Sequence, residues 1–191
     1  MLNDYNAGRV KLKYDPALYI HFLKEESGMI NIRRIKPDEA TSAKRVIYRV
    51  AHEIFKDQRT LDQAIAYYES RGELEDMDDI QKNYFENGGI FLVLEEDDQI
   101  IGTGAIRQLQ DNICELKRLW LLSEYHGLGL GYRMLKELLA VAREMGYERI
   151  RLETDAVFQK RAVQFYKKLG FYEIPIPNAT PDEDILMELS L

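Results

Sequence analysis

The chain has 191 residues, 46% of them hydrophobic and 31% charged, with a net charge of −7 and a single cysteine. That length suits one domain with a real core, and no run of ~18 apolar residues offers a membrane span. The acidic balance argues against broad nucleic-acid binding, which needs a basic footprint, and the lone Cys114 rules out an intrachain disulfide and suits a reducing, cytoplasmic setting.

Residues 1–29 read as an N-terminal arm: a basic extended piece, GRVKLKYD, then a short helical stretch over 17–26. Its opening residues lack the apolar core of a signal peptide. The alternation in INIRRI (30–35) predicts a first strand. Pro37, Asp38 and Glu39 open a helix, since proline and acids are favoured in a first turn. Ala43, Val46, Ile47, Val50, Ile54 and Phe55 form its apolar stripe. Helical stretches follow over 61–70 and 76–87. The acidic cluster Glu73, Glu75, Asp76, Asp78 and Asp79 lies at the start of the second, and reads as a solvated face or, more sharply, as an attractor for an amine.

GIFLVLEE (89–96) and QIIGTGAIRQL (99–109) flank Asp97-Asp98, a hairpin turn signal. A strand over 113–121 runs into a glycine-rich loop and then a helix. The stripe of that helix is Leu130, Met134, Leu135, Leu138, Val141, Ala142 and Met145, and Gly146 closes it. RIRLET (149–154) is a strand, 159–169 a helix stopped by Gly170, and FYEIPI and DILMEL are two closing strands. The order β-α-α-α-β-β-β-α-β-α-β-β predicts a mixed α/β sheet with helices packed on it.

The loop is the most informative segment. Gly127, Gly129 and Gly131 stand at alternate positions just where a helix begins. Glycines let backbone approach a ligand with no Cβ in the way, and the free N–H groups of a first helical turn favour negative charge. The segment therefore reads as a cradle for a phosphate or pyrophosphate. One reading is a dinucleotide-binding βαβ unit, with Glu153 placed where a ribose-binding acid would fall. Three facts oppose it. Tyr132 stands where the fingerprint needs its third glycine. The preceding strand carries Glu115, Lys117 and Arg118 rather than a continuous apolar run. Only about sixty residues follow the loop, where such folds continue through several more βα units. No GK[ST] follows, which excludes a Walker loop.

The pairing of His126-Gly127-Leu128-Gly129-Leu130-Gly131 with a later Phe165-Tyr166-Lys167-Lys168-Leu169-Gly170-Phe171 resembles the GNAT superfamily of N-acetyltransferases, over about residues 30 to 190. The resemblance implies one acetyltransferase-like domain over 30–191, with a mixed, mostly antiparallel central sheet flanked by helices and a splayed strand pair holding acetyl-CoA. It assigns the pyrophosphate to the backbone of residues 127–132 (Gly127, Leu128, Gly129, Leu130, Gly131 and Tyr132). It also lays the pantetheine arm along the strand ending at Leu119, Trp120 and Leu121. His126 stands where the family usually has Arg or Gln, and Gln159 where a loop-facing Asn is common. A histidine can still donate to a phosphate, and Gln159 keeps an amide.

Acetyl transfer to an amine needs a neutral amine, a donor for the developing oxyanion and a proton for the leaving thiolate. A free N–H at the splayed strand end near Leu121 suits the second need. By the resemblance Tyr166 is the acid, because a phenol near ~10 stays protonated at neutral pH. Glu115 is a candidate base acting through water; its other reading is a cross-strand ion pair. Cys114 could form an acyl-enzyme but reads as a small buried hydrophobe. His21 and His52 have no ligand spacing, so no metal is expected. His52 reads as a surface or packing residue, and Trp120, Tyr67, Tyr68 and Tyr84 as acceptor-pocket or core aromatics. The expected activity is transfer from acetyl-CoA to a primary amine of a small molecule or peptide, by direct attack in a ternary complex. The alternative is a non-catalytic acyl-CoA sensor or interaction domain. Expected partners are an amine acceptor and, through the arm, a second copy in a homodimer, with neither nucleic acid nor membrane.

Overall fold

The computed structural model describes residues 30–175 and 184–191, so the arm expected over 1–29, with its helical stretch and His21, lies outside the described residues. Seven strands form one sheet in the order β1-β2-β3-β4-β5-β7-β6. They are β1 (Asn31–Arg34), β2 (Ile90–Glu96), β3 (Gln99–Gln110), β4 (Ile113–Leu121), β5 (Arg149–Asp155), β6 (Tyr172–Ile174) and β7 (Asp184–Ser190). Every neighbouring pair is antiparallel except β4 with β5. A single parallel pair inside an antiparallel sheet is not the doubly wound sheet of a dinucleotide fold, so the Glu153 reading falls away. The β2–β3 turn is made by Asp97 and Asp98, both with positive φ (48° and 62°), as a two-residue hairpin matching strand twist requires.

Side-chain alternation on β2 divides the interior. Phe91 and Val93 face one cluster, with Ile47, Tyr48 and Tyr84; Leu92 and Leu94 face the other, with Met134, Leu135 and Leu138. Helix α1 (Ala40–Phe55) supplies Ala43, Ile47 and Tyr48 to the first and Val46 and Val50 to the second. Helix α3 (Leu130–Glu144) buries Leu130, Met134, Leu135, Leu138 and Ala142, whereas Met145 sits past its end and is exposed. Helix α2 (Leu61–Ser70) starts at Thr60, whose hydroxyl accepts from Gln63 N while Gln63 returns a bond to Thr60 N. Helix α4 (Lys160–Lys168) ends before Gly170, which has a φ of +94°.

The helix expected over 76–87 is not an α-helix. A 3-10 turn (Glu75–Met77) and a π-helical turn (Gln81–Phe85) take its place. Tyr84 is fully buried there and donates to Asp76, while Asn83 Nδ2 donates to Asp76 O at 3.0 Å. These tertiary contacts override the helical periodicity. The acidic cluster is correspondingly not a uniform solvated face. Asp76 is ion-paired to Arg118 and Asp78 to Lys44.

Candidate active site

Strands β4 and β5 pair only at their starts: Ile113 with Arg149, Cys114 with Ile150 and Glu115 with Arg151. Beyond that, β4 continues to Leu121 and β5 to Asp155 with no pairing between them, which opens a gap in the middle of the sheet. The gap continues into a cleft of about 570 Å³. One wall is β4, with Leu119, Trp120 and Leu121. The far wall is α4, with Ala162, Phe165 and Tyr166. Val50 and Ile54 of α1 contribute on the side, and the glycine loop closes one end.

The backbone of β4 is directed into this gap. Leu122 N donates to Ile101 O at 3.0 Å, so Leu122 faces β3, and alternation turns the N–H and C=O of Leu121 the other way. His126 Nε2 lies 3.1 Å from that Leu121 carbonyl oxygen. After a 3-10 turn (Ser123–Tyr125), Gly127 and Gly129 take φ of +86° and +76°, and Gly129 caps α3. The first helical bond from this end runs from Arg133 N to Gly129 O at 3.0 Å. The N–H groups of Gly129, Leu130, Gly131 and Tyr132 precede it and have no acceptor within the helix. A Cβ added to Gly127, Gly129 or Gly131 would meet nothing within 4 Å. The cradle is therefore open space edged by N–H donors, which fits a pyrophosphate.

Of the predicted residues, Leu119, Leu121, His126, Gly127, Gly129, Leu130, Gly131, Tyr132, Gln159 and Tyr166 all line the cleft. Leu128 does not; it is 54% exposed on the outer side of the loop. Tyr166 is 7% exposed and wedged against Phe165 and Phe171, with ring centroids 5.5 Å and 5.4 Å away. Burial pushes its phenol well above the ordinary value of 10. Gln159, just ahead of α4, accepts from Thr154 Oγ1 at 2.8 Å through Oε1, which leaves its NH2 group for another partner.

Glu115 is not brought into the cleft. It faces Arg107 across the β3–β4 ladder, accepts from Arg107 Nε at 3.0 Å and lies 3.5 Å from Lys117 Nζ. Cys114 sits in the paired part of β4, is fully buried, and burial pushes its thiol up to about 12, which suits a packing residue rather than a nucleophile. His52 lies in the last turn of α1 with Nε2 2.8 Å from Arg59 O, away from the cleft. Trp120 lines the cleft; Tyr84 is core, and Tyr67 and Tyr68 of α2 pack around Arg59.

The sequence reading missed Thr103, Tyr125, Phe158 and Arg161, all of which line the cleft. Arg161 left a signal: α4 begins Lys160-Arg161 with no acid in its first turn, against the dipole preference, as a helix facing an anion would. Tyr125 left none. Its hydroxyl donates to Glu96, a partner 29 residues away in sequence, and that carboxylate pushes the phenol up to about 12.

The family model of the acetyltransferase (GNAT) family matches residues 50–171. The chain is 35% identical over 101 residues to the uncharacterized N-acetyltransferase YjgM of Escherichia coli, covering 51% of this chain and 60% of that one. It is 33% identical over 102 residues to human N-acetyltransferase 8B, covering 50% and 44%. The chain thus spans about half the length of the curated relatives it matches. Its fold is similar to that of a GNAT-family acetyltransferase from Staphylococcus aureus, with a TM-score of 0.71, 22% identity and coverage of 85% of this chain and 99% of that one. It is also similar to the PaiA N-acetyltransferase of Thermoplasma acidophilum solved in complex with coenzyme A, with a TM-score of 0.68, 22% identity and the same coverage. The splayed sheet with its glycine loop is the GNAT fold, and this chain belongs to the GNAT acetyltransferase family.

Proposed function

We propose that the chain transfers an acetyl group from acetyl-CoA to a primary amine of a small molecule or peptide, by direct attack in a ternary complex. The observation that carries this is the continuity of the gap. It runs from N–H donors around open glycines, past the inward-facing backbone of β4, to a buried tyrosine on the opposite wall. The loop would hold the pyrophosphate, with Arg161 adding positive charge from the far wall. The pantetheine arm would take the place of the missing strand beside Leu119 and Leu121, bonding to backbone groups that β5 leaves free.

In this arrangement the amine nitrogen attacks the thioester carbon, and the oxygen gains negative charge facing the β4 N–H groups. As the C–S bond breaks, the Tyr166 hydroxyl gives its proton to the departing sulfur. Burial keeps that hydroxyl protonated across the neutral range, so it is available at every turnover. The proton lost by the attacking nitrogen passes through water to the Tyr166 oxygen and restores the hydroxyl for the next turnover. Glu115, held by Arg107 and Lys117, takes no part in this scheme.

The test is release of free thiol from acetyl-CoA across a panel of amines covering amino acids, polyamines, aminoglycosides and peptides. Turnover of any one supports the reading. Saturable acetyl-CoA binding with no release across the panel would assign the domain to the sensor class instead.

A further inference from the structure

Once the glycine loop and the backbone of β4 are given to the cofactor, the lining left for a second substrate is apolar apart from two hydroxyls. Val50 and Ile54 stand one turn apart on α1 and so share one face of that helix. Trp120 of β4, Phe158 before α4 and Phe165 on α4 are the large side chains beside them. Phe158 also meets Phe55, the last residue of α1, edge-on with ring centroids 5.4 Å apart, which ties the end of α1 to the chain entering α4. Phe158 is 48% exposed, so the apolar lining extends to the solvent edge of the cleft.

Charge is scarce here. Among the described residues, no aspartate or glutamate lines the cleft, and Arg161 and His126, its basic side chains, serve the phosphate end. The two hydroxyls are committed to the protein: Thr103 Oγ1 donates to Arg118 O at 2.6 Å, and Tyr125 donates to Glu96. Glu124, beside Tyr125, is paired with Arg49 of α1 at 2.9 Å. A second ammonium or a carboxylate on the acceptor would therefore be desolvated with no opposite charge to meet it, which is costly. An uncharged hydrocarbon body would instead gain by its burial. A ring suits the site better than a chain, because Trp120, Phe158 and Phe165 offer aromatic partners, and such pairs add to the area they bury. The same surroundings help the reaction. Desolvation disfavours an ammonium, and attack needs the neutral amine.

We propose that the acceptor is a hydrophobic monoamine, a primary amine on an aromatic body with no second charge, seated against Ile54, Trp120 and Phe158. The inference rests on the acetyl-transfer reading for its chemistry but not for its binding preference.

The test adds phenethylamine to the amine panel. Phenylalanine is its partner with the same ring and an added carboxylate, and putrescine is the amine with a second ammonium in place of the ring. Two signals are followed: kcat/KM at saturating acetyl-CoA, and calorimetric binding of each amine to protein loaded with CoA, which has no acetyl group to transfer. In wild type, phenethylamine should exceed phenylalanine and putrescine at least about tenfold in both signals, the scale on which a pocket discriminates by a small apolar group. Ile54→Glu and Ile54→Gln both remove the apolar contact, and only the first adds a charge. The ratio of putrescine to phenethylamine should rise at least about tenfold more in Ile54→Glu than in Ile54→Gln. Wild-type protein that prefers phenylalanine or putrescine, or binds no phenethylamine, would overturn the inference, and so would equal ratios in the two variants. If a variant does not fold, the wild-type ratios decide alone. If wild type binds acetyl-CoA and turns over no amine, phenethylamine included, the acetyl-transfer reading fails, and binding to the CoA-loaded protein still decides which acceptor class the cleft takes.

Discussion

Tyr166 and Glu115 are the two catalytic candidates in the sequence, and their surroundings separate them. Tyr166 lies in the cleft wall between two phenylalanines, where burial holds its proton. Glu115 lies on the paired part of β4 with Arg107 and Lys117 as partners. Tyr166→Phe removes one hydroxyl and keeps the ring packing, so kcat should fall about a hundredfold, within the usual range for a general acid, while acetyl-CoA affinity stays. Glu115→Gln should leave kcat within about threefold of wild type, since ladder ion pairs of this kind affect stability modestly. Steady-state kinetics with a turned-over amine check both. A wild-type kcat in Tyr166→Phe would remove the acid from the scheme, and a collapse in Glu115→Gln would restore a base role. The motif context pointed to Tyr166 because a tyrosine is recognisable in a helix-ending FY-x-x-x-GF pattern. Nothing local distinguishes a strand glutamate that serves a ladder pair from one that serves a reaction.

At the scale of elements, local signals worked where local physics decides. The Asp97-Asp98 turn, the glycine ends of α3 and α4 and the two apolar stripes needed only turn chemistry and periodicity. The stretch over 76–87 failed because its conformation is set by Asp76, which Arg118 grips from β4, and by Tyr84, which donates to Asp76 and packs its ring against Phe91 of β2. The junction between β1 and α1 is another such joint. Arg33 grips Glu39 with two bonds of 2.7 and 2.8 Å and also reaches Glu95 on β2. The hydrogen bonds from Arg33, opposed by desolvation and aided by the Lys36 N–H, lower the Glu39 carboxyl from 4.5 to about 2. A carboxyl depressed in the folded state contributes stability that is present above its unfolded value and is lost as pH falls through the folded one. Glu39→Gln should therefore lower the urea midpoint at pH 7, and that penalty should shrink as pH drops from about 4.5 to about 2. A penalty independent of pH across that window would contradict the assignment.

For the molecule as a whole, the sequence carried the order of elements and the two motifs, and those were enough for the family. It did not carry the gap. Residues of β4 read as an ordinary alternating strand, and nothing in their local pattern marks that pairing with β5 stops after Glu115. Part of the far wall was hidden too, because Phe158 and the glycine loop line one cleft only once the chain around α4 folds back across the gap. The gap decides both which cofactor binds and how it lies. The most direct measurement is calorimetric titration of the protein with acetyl-CoA, with NAD(H) as the control. Saturable binding of acetyl-CoA at one site is expected, with no heat from NAD(H). Binding of NAD(H), or of neither, would contradict it.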